Sequence, residues 1–369
     1  MSKPQQQTSD IALFKNKLGE YKHLIDEDIA TYSKHIQQTT LQQYGSSARL
    51  VTDSYLDILE RGGKRIRGSL VMLGYEMSGG KNREMILQAA RAIEMIHAYM
   101  LIMDDIQDRS LTRRGGPTAP VMLAGYHRKN HLAGDAGHFG IALSLNAMGI
   151  GNHAAQMILA NLNAPEVLRL NVISILNRSL VVTAHGQTND IMNEVVATVD
   201  EEAVERVLEW KTAHYTFLNP LHVGMVLAGA DCQATDAITD YAIHAGKAFQ
   251  ITDDIMGIFG SEFESGKSPM DDMREGKRTV LSVYALEQTK TADKNFLIQM
   301  LGNKNLTPAE FERSKDIIIG SGALKYTQER AAMHVEQALS ALDNHTKRWT
   351  PEGVQFLRGL GQYMLTRTS

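Results

Sequence analysis

Apolar residues recur at three- and four-residue spacing along most of this chain. The clearest run lies between Asn82 and Asp108, where Ile86, Ala89, Ala90, Ile93, Ile96, Met100 and Met103 share one side of a 3.6-residue turn. The same period runs from Ala203 to Tyr215 and from Asp236 to Ile258, and the β-branched pair Val181-Val182 sits inside a window of that period. Alternating strand-like runs are scarce, and the 369 residues hold only eight prolines. Breaks fall at Arg61-Gly62-Gly63, Arg114-Gly115-Gly116-Pro117, Gly125 to Gly137, Asn161 to Pro165, Gly260 to Gly276 and Asn303 to Pro308. They read as loops between long helices, and none has the composition of an interdomain linker. No repeat of 20–50 residues stands out. The pattern predicts an all-α protein: a disordered polar tail over Met1–Asp10, then one large helical bundle domain over residues 11–369.

Two acidic clusters interrupt these apolar helices. The first reads Leu101-Ile102-Met103-Asp104-Asp105-Ile106-Gln107-Asp108, the second Phe249-Gln250-Ile251-Thr252-Asp253-Asp254-Ile255-Met256-Gly257. A carboxylate in an apolar setting is costly unless something positive compensates it. Asp104 and Asp108, four residues apart, stack on one helix face and repel each other, which a bound Mg²⁺ would relieve. Magnesium commonly takes one or two carboxylates and completes its shell with water and substrate phosphate. An isolated pair at this spacing is more often a solvated acidic face; here apolar residues precede it and Arg113-Arg114-Gly115-Gly116-Pro117-Thr118 follows. Asp105 points about 100° away from Asp104 and is a candidate for local hydrogen bonding. If the two clusters converge, they make a site for a diphosphate ester carried on divalent metal.

Composition narrows the options. With 43% apolar residues the chain can bury a large core, and a net charge of −4 argues against a nucleic-acid or anionic-membrane partner. Phosphate-binding charge must then be local. The single Cys232 allows no internal disulfide and fits a reducing, cytoplasmic compartment. No targeting segment shows at the start, and no uninterrupted apolar run reaches the ~18 residues of a membrane span.

Local positive charge is present. Arg61-Gly62-Gly63-Lys64-Arg65-Ile66-Arg67-Gly68 is a glycine turn leading into a helix, whose first amides favour anions. Arg113 and Arg114 carry guanidinium forks suited to phosphate oxygens. His97 lies two turns before Asp104 on the same face. After the second cluster come Gly266-Lys267-Ser268 and Asp271-Asp272-Met273-Arg274-Glu275-Gly276-Lys277-Arg278-Thr279, and before it Lys211-Thr212 and Gly186-Gln187 with Asp190. Alone, each of these could be a solvated surface.

Together they resemble the E-type (trans) isoprenyl diphosphate synthases of the polyprenyl synthetase family, from about Tyr44 to the C-terminus. The pattern is closest to the short-chain geranylgeranyl and farnesyl diphosphate synthases. The motifs are GGKRIRG at 62–68, DDIQD at 104–108, RRGGPT at 113–118, GQTND at 186–190, KTAHYT at 211–216, FQITDD at 249–254 and GKSPMDDMREGKRT at 266–279. The resemblance implies antiparallel helices around a central cavity, a homodimer, and head-to-tail condensation of isopentenyl diphosphate with an allylic diphosphate. It implies three Mg²⁺ ions, with Mn²⁺ as an alternative: Asp104 and Asp108 bind two, and Asp253 the third. It assigns Lys64, Arg67, His97 and Arg114 to isopentenyl diphosphate, and Arg113, Lys211, Lys267 and Lys277 to the allylic diphosphate. Thr212 and Gln250 would stabilise the developing allylic cation, and Asp105 belongs to the catalytic motif.

Two departures stand out. Gly257 replaces the last acid of the usual second motif, with Asp272 a candidate to assist Asp253. The Gly-Asp pair usual near the helix after Phe139 is supplied early, by Gly134-Asp135. Tyr99 and Met100, five and four residues before Asp104, are expected to floor the cavity, with Ile96 a turn below, and to favour a C20 over a C15 product. Two other readings compete: a non-catalytic subunit of a heteromeric synthase, which Gly257 favours, and a class I terpene cyclase, which needs no basic isopentenyl pocket.

Overall fold

The computed structural model describes residues 3–260 and 268–366. Among these the chain is helical nearly throughout, as the apolar period predicts, and it divides into two compact units.

One unit comprises Asn16–Ser174 and Val223–Gly229. It holds most of α1 (Lys3–Glu60), then α2 (Ile66–Met77), α3 (Arg83–Gln107), α4 (Ala119–Lys129) and α5 (Ala136–Ala160). α3 packs on α2 and α5, and α4 on α5. The α3 limits follow the sequence signals closely. Asn82 caps its start by accepting from the Met85 amide at 3.1 Å, and Asp108 closes its end. Tyr55 of α1 is buried, donates to the Met95 carbonyl at 2.7 Å and lays its ring over Gly151 of α5. A Cβ on Gly151 would come 2.0 Å from that ring, so any side chain there would have to displace the Tyr55 ring. Between α3 and α4 lies the one β-structure among the described residues, β1 (Thr112–Arg113) paired antiparallel with β2 (Gly116–Pro117). Arg114 and Gly115 link the strands at φ 50° and 74°, the two-residue turn that matches strand twist.

The other unit comprises Met1–Lys15, Ile175–His222 and Ala230–Ser369. α6 (Glu166–Val195) leads into it. α7 (Glu201–Val207) continues as a π-helix over Leu208–Leu218 and then as α8 (Asn219–Leu227). α9 (Cys232–Ala237) precedes α10 (Thr239–Phe259), which packs on the π-helix and on α15 (Ala323–Asp343). α11 (Asp271–Glu275), α12 (Val280–Gln288), α13 (Thr291–Met300), α14 (Pro308–Gly320) and α16 (Pro351–Leu365) complete it. Its cores gather Leu208, Ile251, Ile255 and Val280 in one cluster and Leu281, Leu297 and Phe311 in another.

Three expectations change. The tail over Met1–Asp10 is helical from Lys3, because Asp10 is buried against α16, accepting from Gln355 at 3.0 Å, and Phe14 meets Phe356 edge-on. Glutamine-rich composition hides that docking. The chain expected as one domain over 11–369 falls into two compact units, and it passes between them inside α1, α6 and α8 and again at Gly229–Ala230. Gly125 belongs to α4, where buried Leu123, Ala124 and His127 hold the helix, and the loop starts at Asn130. Gly134 (φ 95°) and the capping Asp135 then start α5, which accounts for the early Gly-Asp pair. No uninterrupted apolar run of membrane length occurs, yet by length and mean hydropathy α3 and α6 are long and apolar enough to cross a membrane. Averaging tolerates interspersed polar residues that a count of uninterrupted ones does not. The apolar window of α3 is 61% buried inside the protein and that of α6 22%.

Candidate active site

The first acidic cluster closes α3. Asp105 is fully buried, and its Oδ1 accepts from Arg113 Nε at 2.6 Å. Arg113 Nη2 also donates to Asp104 Oδ2 at 3.1 Å, so one guanidinium from the β-hairpin ties both acids. These carboxylates hold the Arg113 pKa above its ordinary value in spite of its burial. Asp104 and Asp108 are partly exposed. All three acids sit at the negative end of the α3 dipole, where cations are favoured and anions are not. The hairpin is positioned by Arg61, which sequence reasoning passed over: its Nη1 donates to the carbonyls of Arg113 at 3.0 Å and Pro117 at 2.8 Å. Its guanidinium fills the space over Gly116, where a Cβ would lie 2.5 Å away.

The basic loop of the same unit sorts its charges. Lys64 is exposed, and Arg67 Nη1 lies 3.2 Å from His97 Nε2. Arg65 instead turns inward at φ 50°, 4% exposed, and bonds Asp26 Oδ1 at 2.7 Å, Glu94 Oε2 at 3.3 Å and the Leu59 carbonyl at 2.8 Å. Glu94 Oε1 also accepts from the Gly68 amide at 2.8 Å. An amide at the start of α2, expected to favour a substrate anion, is therefore already taken by a protein carboxylate. Arg114 donates to the Gly62 carbonyl and lies over Gly63, where a Cβ would meet it at 2.7 Å; Gly63 is also at φ 125°. Burial, and then the neighbouring guanidiniums of Arg65, Arg113 and Arg67, push the Arg114 pKa down to about 10. Burial and the guanidiniums of Arg67, Arg114, Arg113 and Arg65 hold His97 well below its usual value, so it is neutral at pH 7.

In the other unit, Thr212 Oγ1 donates to Gln250 Oε1 at 2.9 Å, and Gln250 Nε2 donates to Asp254 Oδ1 at 2.8 Å. Thr212 lies in the π-helix, a form that often marks functional sites. That helix is gripped between two glycines. A Cβ on Gly186 of α6 would meet the Lys211 amide nitrogen at 2.4 Å, and one on Gly246 of α10 would meet Ala213 Cα at 2.4 Å. Lys211 Nζ pairs with Asp190 Oδ2 at 2.6 Å. Burial, helped by Asp272 and Asp253 and opposed by Gln250 and Lys277, raises Asp254 to about 7. Asp253 is partly exposed beside it. Lys277 Nζ lies 3.1 Å from Glu275 Oε2 and 3.8 Å from Asp272 Oδ1. Lys267 falls outside the described residues.

The donor set fits a hard divalent cation. Among the described residues no three acidic, His or Cys side chains are grouped to hold an ion unaided. Magnesium does not need such a group, since one or two carboxylates plus phosphate and water suffice. Asp104 and Asp108 supply a pair of hard oxygen ligands at a helix end that lacks positive charge of its own.

Of the expected floor residues, Ile96 is fully buried, while Tyr99 and Met100 are partly exposed. Desolvation raises the Tyr99 phenol above its usual value, which marks apolar surroundings.

A family model described as polyprenyl synthetase matches residues 48–318. The chain belongs to the polyprenyl synthetase family. Among relatives of this polyprenyl synthetase, the geranylgeranyl diphosphate synthase of Saccharolobus solfataricus is 31% identical over 80% of this chain and 84% of its own length. That of Sulfolobus acidocaldarius is 28% identical over 97% of this chain and 99% of its own. Among solved structures, the geranylgeranyl pyrophosphate synthase of Corynebacterium glutamicum, complexed with isoprenyl diphosphate and magnesium, is 30% identical with a TM-score of 0.89, covering 95% of this chain and 99% of that one. The expected all-α isoprenoid synthase fold is thereby established for this polyprenyl synthetase.

Proposed function

We propose that this polyprenyl synthetase is a trans-prenyltransferase. It condenses isopentenyl diphosphate head-to-tail with an allylic diphosphate and releases a short-chain all-trans prenyl diphosphate, C20 rather than C15. The observation that carries this reading is the acidic end of α3, with Asp104, Asp105 and Asp108 massed against the helix dipole and the first two locked to Arg113. That arrangement suits a metal-borne diphosphate. The names of the relatives favour C20.

In this reading Asp104 and Asp108 hold two magnesium ions and Asp253 the third. Bound magnesium withdraws charge from the leaving diphosphate. Arg113, Lys211, Lys267 and Lys277 grip the allylic diphosphate; Lys64, Arg67, Arg114 and neutral His97 grip isopentenyl diphosphate. The allylic C–O bond breaks, the double bond of isopentenyl diphosphate supplies the electrons of the new C–C bond, and a proton leaves to the released pyrophosphate. Thr212 Oγ1 donates a hydrogen bond to Gln250 Oε1, which leaves the hydroxyl lone pairs available to the developing allylic cation. Asp105 holds Arg113 rather than metal, a positioning role.

The test is incubation of the purified chain with Mg²⁺, isopentenyl diphosphate and, separately, C5, C10 and C15 allylic primers, followed by sizing of the dephosphorylated products. A discrete C20 alcohol is expected. No product with any primer from folded protein would favour the non-catalytic subunit. Tyr99→Ala, with Met100 kept, is expected to shift the same product profile by at least one C5 unit, because the ring is partly exposed one to two turns below Asp104. An unchanged profile would remove Tyr99 from the floor.

A homodimer is supported by the apolar side chains left exposed on α5 and α6, among them Leu145, Met157, Leu170, Val181 and Met192. The exposed lone thiol of Cys232 supports a reducing, cytoplasmic setting.

A further inference from the structure

The π-helix that carries Lys211 and Thr212 is braced where it begins. α7 ends at Val207 and the wider form starts at Leu208, with Glu205 on one side of that junction and Glu209 on the other. Lys247 of α10 bridges the two carboxylates: its Nζ lies 3.2 Å from Glu205 Oε2 and 2.8 Å from Glu209 Oε2. The lysine side chain is 12% exposed and that of Glu205 16%. Glu205 is anchored in turn by α15, accepting from Arg330 Nη2 at 2.6 Å and lying 3.2 Å from His334 Nε2. Against burial, His334, Lys247 and Arg330 hold the Glu205 carboxyl down to about 2, so Lys247 faces an anion. Two carboxylates four residues apart repel at α-helical spacing, and the lysine between them offsets that repulsion. Gly246, one residue before Lys247, admits the Ala213 backbone to α10, so a close contact and a charge bridge adjoin.

The register of these contacts connects them to the chemistry. Lys247 stands three residues before Gln250 and Glu209 three before Thr212, and Thr212 Oγ1 donates to Gln250 Oε1 at 2.9 Å. The ion pair and the hydrogen bond are therefore two neighbouring links between the same two helices. Glu205, Glu209 and Lys247 all lie outside the motifs that carry the family resemblance. Resting on the function proposed above, we infer that Lys247 is a positioning residue for the allylic end of the reaction: by bridging Glu205 and Glu209 across the α-to-π junction, it fixes the rotation of the π-helix at which Thr212 meets Gln250. Lys247 acts through Thr212 and touches no substrate itself.

The experiment is steady-state kinetics with Mg²⁺, isopentenyl diphosphate and each of the C5, C10 and C15 allylic primers, with thermal unfolding of every variant. Lys247→Met keeps the side-chain length and removes the charge. It is expected to lower kcat by about tenfold, within the loss that a small misplacement of a reacting group can cause. Lys247→Arg is expected to restore most of it. Glu209→Gln removes one arm of the bridge, leaves Glu205 with its α15 partners, and is expected to lower kcat in the same direction. The Thr212→Val background separates positioning from general support of the fold. Once the Thr212–Gln250 bond is gone, adding Lys247→Met is expected to cost far less than it does in the parent. The same fold-loss in both backgrounds, within the roughly twofold precision to which independent sites add, overturns the inference. An unchanged kcat in folded Lys247→Met overturns it too. Should Lys247→Met not fold, Glu209→Gln is carried through the same two backgrounds and decides by the same criteria. A parent protein that transfers no prenyl group from any primer overturns the prenyltransferase reading first, and this inference with it.

Discussion

Asp108→Asn is expected to lower kcat by about 10²–10³-fold, the loss typical when one preorganised electrostatic contact to a transition state is removed, while the protein keeps its fold and its melting temperature. The second half of that expectation comes from where the residue stands. Asp108 closes α3, with Asp104 one turn before it and Asp105 buried between. Like charges four apart on a helix cost about 0.2–0.5 kcal/mol, and an anion at a helix C-terminus costs about 0.3–1 kcal/mol more. Arg113 answers Asp104 and Asp105 through its Nη2 and Nε, at 3.1 and 2.6 Å. Replacing one carboxylate by its neutral isostere therefore removes repulsion and leaves side-chain volume in place. Incorporation of labelled isopentenyl diphosphate and thermal unfolding by circular dichroism, run on the same preparation, separate the two effects. Full activity in the variant would strip Asp108 of its metal role. A melting temperature that falls along with activity would make the residue structural.

That residue was legible in the sequence because its evidence is local. Apolar spacing and acids at an i, i+4 interval lie within one helix, and α3 follows the run from Asn82 to Asp108 to within a residue at each end. Evidence spread over distant segments was not legible. In the run from Gly62 to Gly68 three basic residues alternate along one short segment, and nothing local distinguishes Arg65 from Lys64 and Arg67. Arg65 turns inward because Asp26 of α1 and Glu94 of α3 are there to receive it. Gly186 read as part of the polar GQTND motif, and its contact with the π-helix backbone gives it a packing role. Hydrophobic period also predicts a continuous α-helix through Ala203–Tyr215, since it does not distinguish the π form that Leu208–Leu218 adopts. The helical glutamine-rich start depends on a few side chains, Asp10 and Phe14, meeting α16 hundreds of residues later.

The buried pair in that basic loop leads to a larger stability effect than any at the acidic cluster. Glu94→Ala is expected to destabilise the protein by about 3–5 kcal/mol, the cost of leaving one buried charge without its partner. Glu94 is 2% exposed and serves two groups, the Arg65 guanidinium through Oε2 and the Gly68 amide through Oε1. Truncation leaves the amide with no acceptor from this side chain and leaves Arg65 with Asp26 and one carbonyl. It also removes the carboxylate that offsets the positive field of Arg65, Arg67 and Arg113 around Arg114. The space itself is tight, since a Cβ on Gly68 would already stand 3.1 Å from Glu94 Cγ. Urea unfolding of the variant measures the loss, and the double variant Arg65→Met/Glu94→Met identifies its cause. Apolar residues of similar volume often replace a buried ion pair at little or no cost, so the double variant should recover much of the stability that Glu94→Ala loses. Should Glu94→Ala lose less than about 1 kcal/mol, the value of an ordinary exposed pair, the loop is held by its glycine geometry and the hairpin contacts of Arg61 instead.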